Sequence, residues 1–252
     1  MEASLLGVFM ISICVAGVLL EHPESPMHQA VENAAVRRAL GGTAMGIVAI
    51  SIFCSAWGKR SGAHLNPAVT LSFFVLGKIE RWDAIFYVIF QFIGATVGML
   101  TADALIGLPL RHSAVNYAVT TPGPVGIAAA FSAELLISFV MMSTVLIASN
   151  SRRLHQWTPL FAGILVATCI MIEAPISGMS MNPARTFASA FSARDWTALW
   201  IYFIAPLIGM LAASQVYSIR NGVDQVFCAK LNHANNQRCI FRCNYTTLKA
   251  GQ

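Results

Sequence analysis

The chain has 252 residues, of which 56% are hydrophobic and only 11% are charged, and its formal net charge is +5. Soluble domains carry about 25% charged residues, so this composition excludes an ordinary soluble globular protein. It indicates instead a chain that crosses a membrane several times.

Six apolar runs are long enough to cross a membrane, since a spanning helix needs about 20 mostly apolar residues. They lie at about 3–20, 38–58, 83–106, 125–149, 157–175 and 196–218. Two further apolar runs, at about 66–77 and 182–192, are too short to span, and each begins at an Asn-Pro-Ala sequence. The predicted order is long, long, short, long, and then the same order again.

The short runs begin within two copies of one pattern, SGAHLNPAVT at 61–70 and SGMSMNPART at 177–186. The copies are identical at six of ten positions and lie 116 residues apart. Because each half has an odd number of spanning helices, the halves must have opposite orientations in the membrane. The sequence therefore predicts an all-α membrane protein with six transmembrane helices and two re-entrant half-helices in two inverted repeats, at about 1–113 and 124–218.

The distribution of Lys and Arg predicts the orientation. With both termini in the cytoplasm, eleven of these residues lie inside and five outside. This bias accounts for the net charge without a nucleic-acid partner, and we expect none. Residues 219–252 are polar and follow the last span, so they are predicted to form a cytoplasmic tail.

The doubled motif has a chemistry of its own. Asparagine is a favoured helix N-cap and proline is favoured at the first helical position, so each motif is predicted to begin a short helix. The cap oxygen accepts an N–H of its own helix, which leaves the amide NH₂ free to donate outward. Two such donors and two positive helix ends at the membrane centre favour a neutral solute and disfavour protons and cations. The residues predicted to form this centre are Asn66, Pro67, Ala68, Asn182, Pro183 and Ala184.

These residues resemble the major intrinsic protein (aquaporin) family. The two Asn-Pro-Ala boxes, the chain length and Arg185 directly after the second box carry the resemblance, which covers about residues 1–218. The run PISGMSMNPAR at 175–185 is most similar to plant nodulin-type and related bacterial members. The resemblance implies a passive, non-enzymatic channel in the lipid bilayer, with a pore in each protomer of a homotetramer.

The resemblance also implies where the pore is narrowest, at Gly46, Ile170, Met179 and Arg185. Strictly water-selective members have a bulky aromatic residue at the first of these positions and a histidine at the second. Gly46 and Ile170 therefore imply a wider and more apolar filter, which suits glycerol, urea or undissociated metalloid acids as well as water.

Two other functions stay open at this point. Met179 is long enough to refill part of the filter, which would give a nearly pure water channel. An ion-coupled secondary transporter would also use inverted repeats and broken helices, but the chain offers only isolated carboxylates for coupling.

Several polar residues are predicted to support the pore loops. The resemblance implies that Glu134, in the fourth span, braces the loop before the second motif, with Glu2 as its counterpart in the first repeat. His64 is predicted to order the first loop, and Gln91 to bond the backbone of that loop.

The tail contains a Cys-x4-His-x5-Cys-x3-Cys pattern formed by Cys228, His233, Cys239 and Cys243. Three thiolates and an imidazole form a complete structural zinc set, and a metal-bound tail would be a small ordered cap or a redox-sensitive gate. The alternative is free reduced cysteines, because a cytoplasmic location disfavours disulfides. The channel itself is expected to need no cofactor.

The location follows from the spans. We expect an integral membrane protein, and we assign it to a bacterial inner membrane because the sequence contains no eukaryotic targeting feature.

Overall fold

The computed structural model describes residues 1–233 and 239–246, and the rest of the predicted tail, 234–238 and 247–252, lies outside the described residues. Eight main helices form the bundle in the described part of the chain. In chain order they are α1 (Glu2–Glu21), α2 (Ala34–Cys54), α3 (Pro67–Val75), α4 (Arg81–Ile106), α5 (Ile127–Ser149), α6 (Thr158–Ser177), α7 (Pro183–Ala193) and α8 (Leu199–Asn221). Six of them are long and apolar enough to cross a membrane, and α3 and α7 are the two half-helices. The predicted fold class is confirmed.

The predicted bounds of the second apolar run, about 38–58, each lie four residues too late, since α2 spans Ala34–Cys54. The second apolar run was expected to continue to residue 58, but α2 ends at Cys54 and a short helix follows at Ala56–Ser61. Ser55 separates the two helices because its backbone is extended and its Oγ accepts a hydrogen bond from the Gly58 N–H at 3.0 Å. A serine that caps a new helix ends the previous one, although the apolar character of the sequence continues.

The helices pair in the same way in both halves of the molecule. In the first half α1 packs on α4, and in the second half α5 packs on α8. The two halves meet where α2 packs on α6, where α3 packs on α8 and where α7 packs on α4. Each half-helix is therefore held by the last spanning helix of the opposite half.

Close approach between α1 and α4 depends on two glycines. A Cβ at Gly94 would lie 2.2 Å from the carbonyl oxygen of Ala3, and one at Gly98 would lie 2.5 Å from that of Gly7. Lipid tails are as apolar as leucine, so helices associate in a membrane through such tight backbone packing. Gly94 and Gly98 are four residues apart, which is the small-xxx-small spacing typical of closely packed helices.

Polar groups and apolar groups are distributed as in a membrane protein. Large hydrophobic side chains such as Val97 and Leu105 are exposed on the outside of the bundle, whereas Gln91 and Glu134 are completely buried inside it. Because lipid cannot satisfy hydrogen bonds, such buried polar groups need partners within the protein.

The described part of the tail packs against one end of the bundle, called here the tail end. The Phe227 N–H donates to Oδ1 of Asn150 at 2.8 Å, and the Arg242 N–H donates to the carbonyl of Lys78 at 3.1 Å. Arg242 also donates from Nε to Glu80 at 2.6 Å, and this hydrogen bond lowers the pKa of the Glu80 carboxyl. The tail therefore contacts both halves of the bundle.

Candidate functional site

The N-termini of the two half-helices lie close to each other. Oδ1 of Asn66 accepts the Ala68 N–H at 2.9 Å, and Oδ1 of Asn182 accepts the Ala184 N–H at 3.1 Å. A proline follows each asparagine at the first helical position. The two motifs thus form capped helix N-termini in the geometry expected for Asn-Pro.

The two asparagines also clamp the halves of the molecule together. Nδ2 of Asn66 donates to the carbonyl of Met181 at 2.6 Å, and Nδ2 of Asn182 donates to the carbonyl of Leu65 at 2.7 Å. Each amide has two N–H donors, so this clamp uses one and leaves the other. The NH₂ groups were expected to be free to donate outward, and each uses one N–H to donate to the opposite loop.

The loops before the half-helices have an unusual backbone that is the same in both repeats. Ala63 and Leu65 have φ angles of 53° and 50°, and the equivalent Met179 and Met181 have φ angles of 52° and 54°. The left-handed conformation costs about 1–2 kcal/mol per residue for L-amino acids. Strain of this kind persists only where the surrounding structure holds it in place.

Glu134 holds the second loop. Its Oε1 accepts hydrogen bonds from Oγ of Ser177 at 2.6 Å and from the Ser180 N–H at 2.7 Å, and its Oε2 accepts the Met181 N–H at 2.8 Å. Hydrogen bonds to a charged acceptor contribute about 1.5–3 kcal/mol each, so this set offsets the loop strain. Tyr202 adds a fourth contact by donating its hydroxyl to the carbonyl of Ser177 at 2.6 Å.

Glu2 holds the first loop in the same way. Its carboxylate accepts hydrogen bonds from Oγ of Ser61 and from the Leu65 N–H, both at 2.7 Å. Tyr87 donates its hydroxyl to the carbonyl of Ser61 at 2.6 Å, as Tyr202 does in the second repeat. No role in the loops was predicted for these two tyrosines, although they lie 115 residues apart, a spacing close to that of the motifs.

Gln91 and His64 support the first loop, but neither side chain bonds to the backbone of that loop. Nε2 of Gln91 donates to Glu2 at 2.9 Å and to Oγ1 of Thr70 at 3.1 Å. The prediction of a bond from Gln91 to the loop backbone is wrong because the buried carboxylate of Glu2 stands in between as an acceptor. His64 pairs through Nδ1 with Oγ1 of Thr70 at 3.1 Å and through Nε2 with the carbonyl of Ala229 at 2.7 Å.

A cavity of about 380 Å³ runs along the asparagine pair and is lined by both halves of the chain. Its walls include Arg37 at the start of α2 and Phe53 at the end of the same helix. At 1.5 Å per residue these positions are about 24 Å apart, which is most of the roughly 30 Å hydrocarbon thickness of a bilayer. The cavity therefore has the length of a transmembrane pore.

Three of the four predicted filter residues lie in the wall of this cavity, namely Ile170, Met179 and Arg185. Arg185 is buried, and its Nη1 has no hydrogen-bond partner among the described residues. Nε of Arg38, another wall residue, is unpartnered in the same way. A buried guanidinium N–H without a protein acceptor is a donor for a molecule inside the cavity.

The prediction for Gly46 is wrong. A Cβ at this position would lie 2.7 Å from the carbonyl oxygen of Gly163 and 2.9 Å from Cβ of Ala167, so position 46 faces α6 and not the cavity. Met45, one residue earlier, lines the cavity instead. The wall from α2 therefore carries the long side chain of Met45, next to the position where no side chain was predicted.

Comparison with known proteins identifies relatives over most of the chain. The family model described as major intrinsic protein matches residues 2–217. The maize (Zea mays) protein named aquaporin NIP2-3 is 36% identical over 188 residues, which are 74% of this chain and 60% of that protein. The Arabidopsis thaliana protein named probable aquaporin NIP7-1 is 32% identical over 217 residues, which are 85% of this chain and 74% of that protein.

The match spans about 60% of the length of the maize relative. Both relatives are plant proteins, and they give no support to the expected bacterial membrane. Among solved structures, the aquaglyceroporin from Plasmodium falciparum superposes with a TM-score of 0.68 at 21% identity, covering 88% of this chain and 96% of that one. At this identity the likeness is evidence of the fold alone.

Proposed function

Because the chain belongs to the major intrinsic protein family, we propose that it is a passive, non-enzymatic channel for water and small uncharged solutes. The observation that carries this proposal is the cavity of about 380 Å³ with the two clamped asparagines in its wall. Transport through such a pore needs no cofactor, because the solute crosses by exchanging its hydrogen bonds with water for hydrogen bonds with the wall.

The charges around the cavity support exclusion of cations and protons. The remaining N–H donors of Asn66 and Asn182 and the N-termini of α3 and α7 present positive potential to the same short stretch of the pore. Arg185 adds a full positive charge in the wall. A neutral solute with a lone pair is favoured there, whereas a cation would lose its hydration and meet repulsion.

The composition of the filter supports small solutes with both polar and apolar faces. Met45, Ile170 and Met179 are apolar, and Arg185 carries the unpartnered N–H donor. Glycerol fits this combination because its hydroxyls can accept from the guanidinium while its carbon backbone contacts the apolar side chains. Urea and undissociated metalloid acids belong to the same class of small uncharged solutes.

A nearly pure water channel is the second candidate, and Met45 favours it. The wall has a long side chain from α2 in addition to Met179, and flexible methionines can fill irregular space. The ion-coupled transporter is less favoured, since the carboxylates of Glu2 and Glu134 accept loop hydrogen bonds and form no cation-binding group.

Stopped-flow light scattering on proteoliposomes tests these candidates. Vesicles with the channel should shrink faster in sucrose than empty vesicles, and reswelling in glycerol or urea should also be faster. Fast shrinkage without solute entry would favour the water channel. Shrinkage at the rate of empty vesicles would contradict both, and saturable uptake driven by a sodium or proton gradient would favour the transporter.

The assembly forms part of the same proposal. Both halves of the chain line the cavity, which supports a complete pore in each protomer. The resemblance to the family implies a homotetramer, and the Lys and Arg distribution favours both termini in the cytoplasm. The mass of the detergent-solubilised protein measures the number of chains, and protease access to the tail in sealed vesicles measures the orientation.

A further inference from the structure

Four potential metal ligands come together in the tail. The Sγ atoms of Cys228, Cys239 and Cys243 and one ring nitrogen of His233 all lie within 4.8 Å of one another. The Sγ atoms of Cys228 and Cys239 are 3.5 Å apart, and Nε2 of His233 is 3.1 Å from Sγ of Cys228 and 3.3 Å from Sγ of Cys243. Residues from four positions of the tail thus point their donor atoms at one centre.

The spacing of these atoms fits tetrahedral zinc. With Zn–S bonds of about 2.3 Å and a Zn–N bond of about 2.0 Å, neighbouring ligand atoms of a tetrahedron are about 3.5–3.8 Å apart. The three distances given above, 3.1–3.5 Å, are somewhat shorter than these edges, and all the ligand atoms lie within 4.8 Å of one another. None of the three cysteines forms a disulfide. Soft thiolates with one imidazole favour zinc over magnesium or calcium, and four protein ligands are typical of a structural site.

The surroundings keep the ligands in place. Cys228 is buried, and the ring of His233 stacks on that of Tyr245 with centroids 4.0 Å apart and planes within 8°. Cys14, Cys54 and Cys169 do not belong to this group. A short segment that lacks a core of its own commonly obtains its folding energy from a bound metal.

The same segment covers the tail end of the pore. Between two of the ligands, the carbonyl of Ala229 pairs with Nε2 of His64 at 2.7 Å, and the Leu231 N–H donates to the carbonyl of Gly62 at 3.3 Å. The ring of Phe241 stacks on His64 with centroids 5.5 Å apart. Leu231 itself lies in the wall of the pore cavity.

We infer that Cys228, His233, Cys239 and Cys243 bind one Zn²⁺, and that the bound metal holds Leu231 at the tail end of the pore, so that zinc occupancy lowers permeability. The geometric reason is that Leu231 lies between Cys228 and His233 in the sequence. Once both of these residues bind the metal, the path of the chain between them, and with it the position of Leu231, is fixed. The effect on permeability rests on the proposed channel function, whereas the metal site does not.

Metal content tests the site without any transport measurement. The full chain, purified in detergent and dialysed to remove free metal, should carry one zinc per protomer, and Cys239→Ser and Cys243→Ser should lose it. Cys54→Ser is the matched control, because Cys54 lies near the tail, where it accepts from Nδ2 of Asn232 at 3.7 Å, but outside the cluster. Replacing zinc with cobalt should give the absorption of a tetrahedral thiolate site. Zinc at background level in the unmodified protein, or retained by both serine variants, would overturn the proposal.

Permeability with and without metal tests the cap. Proteoliposomes treated with a membrane-permeant chelator should shrink several times faster than zinc-loaded ones, and zinc should reverse the change. Leu231→Ala should be fast in both states while still binding zinc. Equal rates for the zinc-loaded and chelated protein would overturn the cap. If neither the chelated protein nor Leu231→Ala conducts faster than empty vesicles, although the untreated protein binds one zinc per protomer, the channel function fails and the metal site stands.

Discussion

Glu134 shows how a single buried side chain maintains the pore wall. Its carboxylate is completely buried and accepts three hydrogen bonds from Ser177, Ser180 and Met181. Met179 and Met181 in this loop have left-handed backbone conformations, so the loop would not keep its shape without these bonds. Glu134 is therefore expected to affect the stability of the protein directly, and to affect transport only by holding the shape of the loop.

Replacing Glu134 should separate the loss of an acceptor from the loss of charge. Glu134→Ala leaves one hydroxyl and two N–H groups without an acceptor, each at a cost of about 1–3 kcal/mol. Glu134→Gln keeps one acceptor oxygen and should lose less. The free energy of unfolding, measured by titration with a denaturing detergent, should rank the unmodified protein above Gln and Gln above Ala. Equal stability of the three proteins would contradict the bracing role.

Met45 and Gly46 should respond in opposite ways to substitution. Met45→Ala shortens a side chain in the cavity wall, so entry of glycerol relative to water should increase. Gly46→Ala adds a Cβ 2.7 Å from the carbonyl of Gly163, and such overpacking costs about 1–3 kcal/mol without adding space to the pore. Stopped-flow ratios and unfolding of the same two variants measure both effects. A rise in the glycerol ratio for Gly46→Ala alone would contradict the assignment of Met45 to the wall.

The error at Gly46 has a simple geometric origin. Successive residues of an α-helix are rotated by about 100°, so a shift of one residue turns a wall position into a packing position. Which residue of α2 faces the cavity depends on the number of residues between α2 and Asn66. In this stretch the chain forms an additional short helix at Ala56–Ser61. Ile170, Met179 and Arg185 lie in the cavity wall, and no such irregularity separates Met179 and Arg185 from the second motif.

At the scale of the helices, α1 and α4 show how tightly two elements pack in this bundle. A Cβ at Gly98 would lie 2.5 Å from the carbonyl oxygen of Gly7, so no larger residue fits without separating the helices. Gly98→Leu should reduce the yield of folded protein and lower its unfolding temperature. Val97→Leu is the matched control, because Val97 directly precedes Gly98 and its side chain is exposed. Equal thermal stability of the two variants would show that the helices do not depend on this contact.

The spanning helices were predictable because their length and apolar composition follow from the thickness of a bilayer. The half-helices were predictable from Asn66-Pro67 and Asn182-Pro183, since both residue types favour helix starts. The end of α2 at Cys54 was not, because Ser55 interrupts the helix with a single side-chain hydrogen bond. The left-handed residues of the pore loops had no signal either, since alanine, leucine and methionine ordinarily avoid that conformation.

At the scale of the whole molecule, contacts between distant parts of the chain decide what the sequence can reveal. The inverted arrangement followed from two similar motifs and an odd number of spans per half. The position of the tail did not follow, although its four potential ligands were recognised by residue type. The bond between His64 and Ala229 joins residues 165 positions apart, and no local pattern records such a contact.

The asparagine clamp joins the two halves of the molecule, so its two hydrogen bonds should depend on each other. Asn66 donates to Met181 and Asn182 donates to Leu65, which means that both bonds tie the same pair of loops. Once one bond is lost the loops can separate, and the second bond then contributes less. Interhelical hydrogen bonds in membranes contribute about 0.6 kcal/mol on average, and residues in one network couple by about 0.5–3 kcal/mol.

A double-mutant cycle of Asn66→Ala and Asn182→Ala measures this coupling as the free energy of unfolding. The double variant should be more stable than the sum of the single losses predicts. Each substitution also removes a helix cap, and Asn33→Ala controls for that effect, because Asn33 caps α2 through the N–H groups of Ala35 and Val36. Because Asn33 is far from the clamp, the losses in free energy of unfolding from Asn33→Ala and Asn66→Ala should add to within about 0.5 kcal/mol. If the two pore asparagines were equally additive, each would act only as the cap of its own half-helix, and the halves would be held together by helix packing alone.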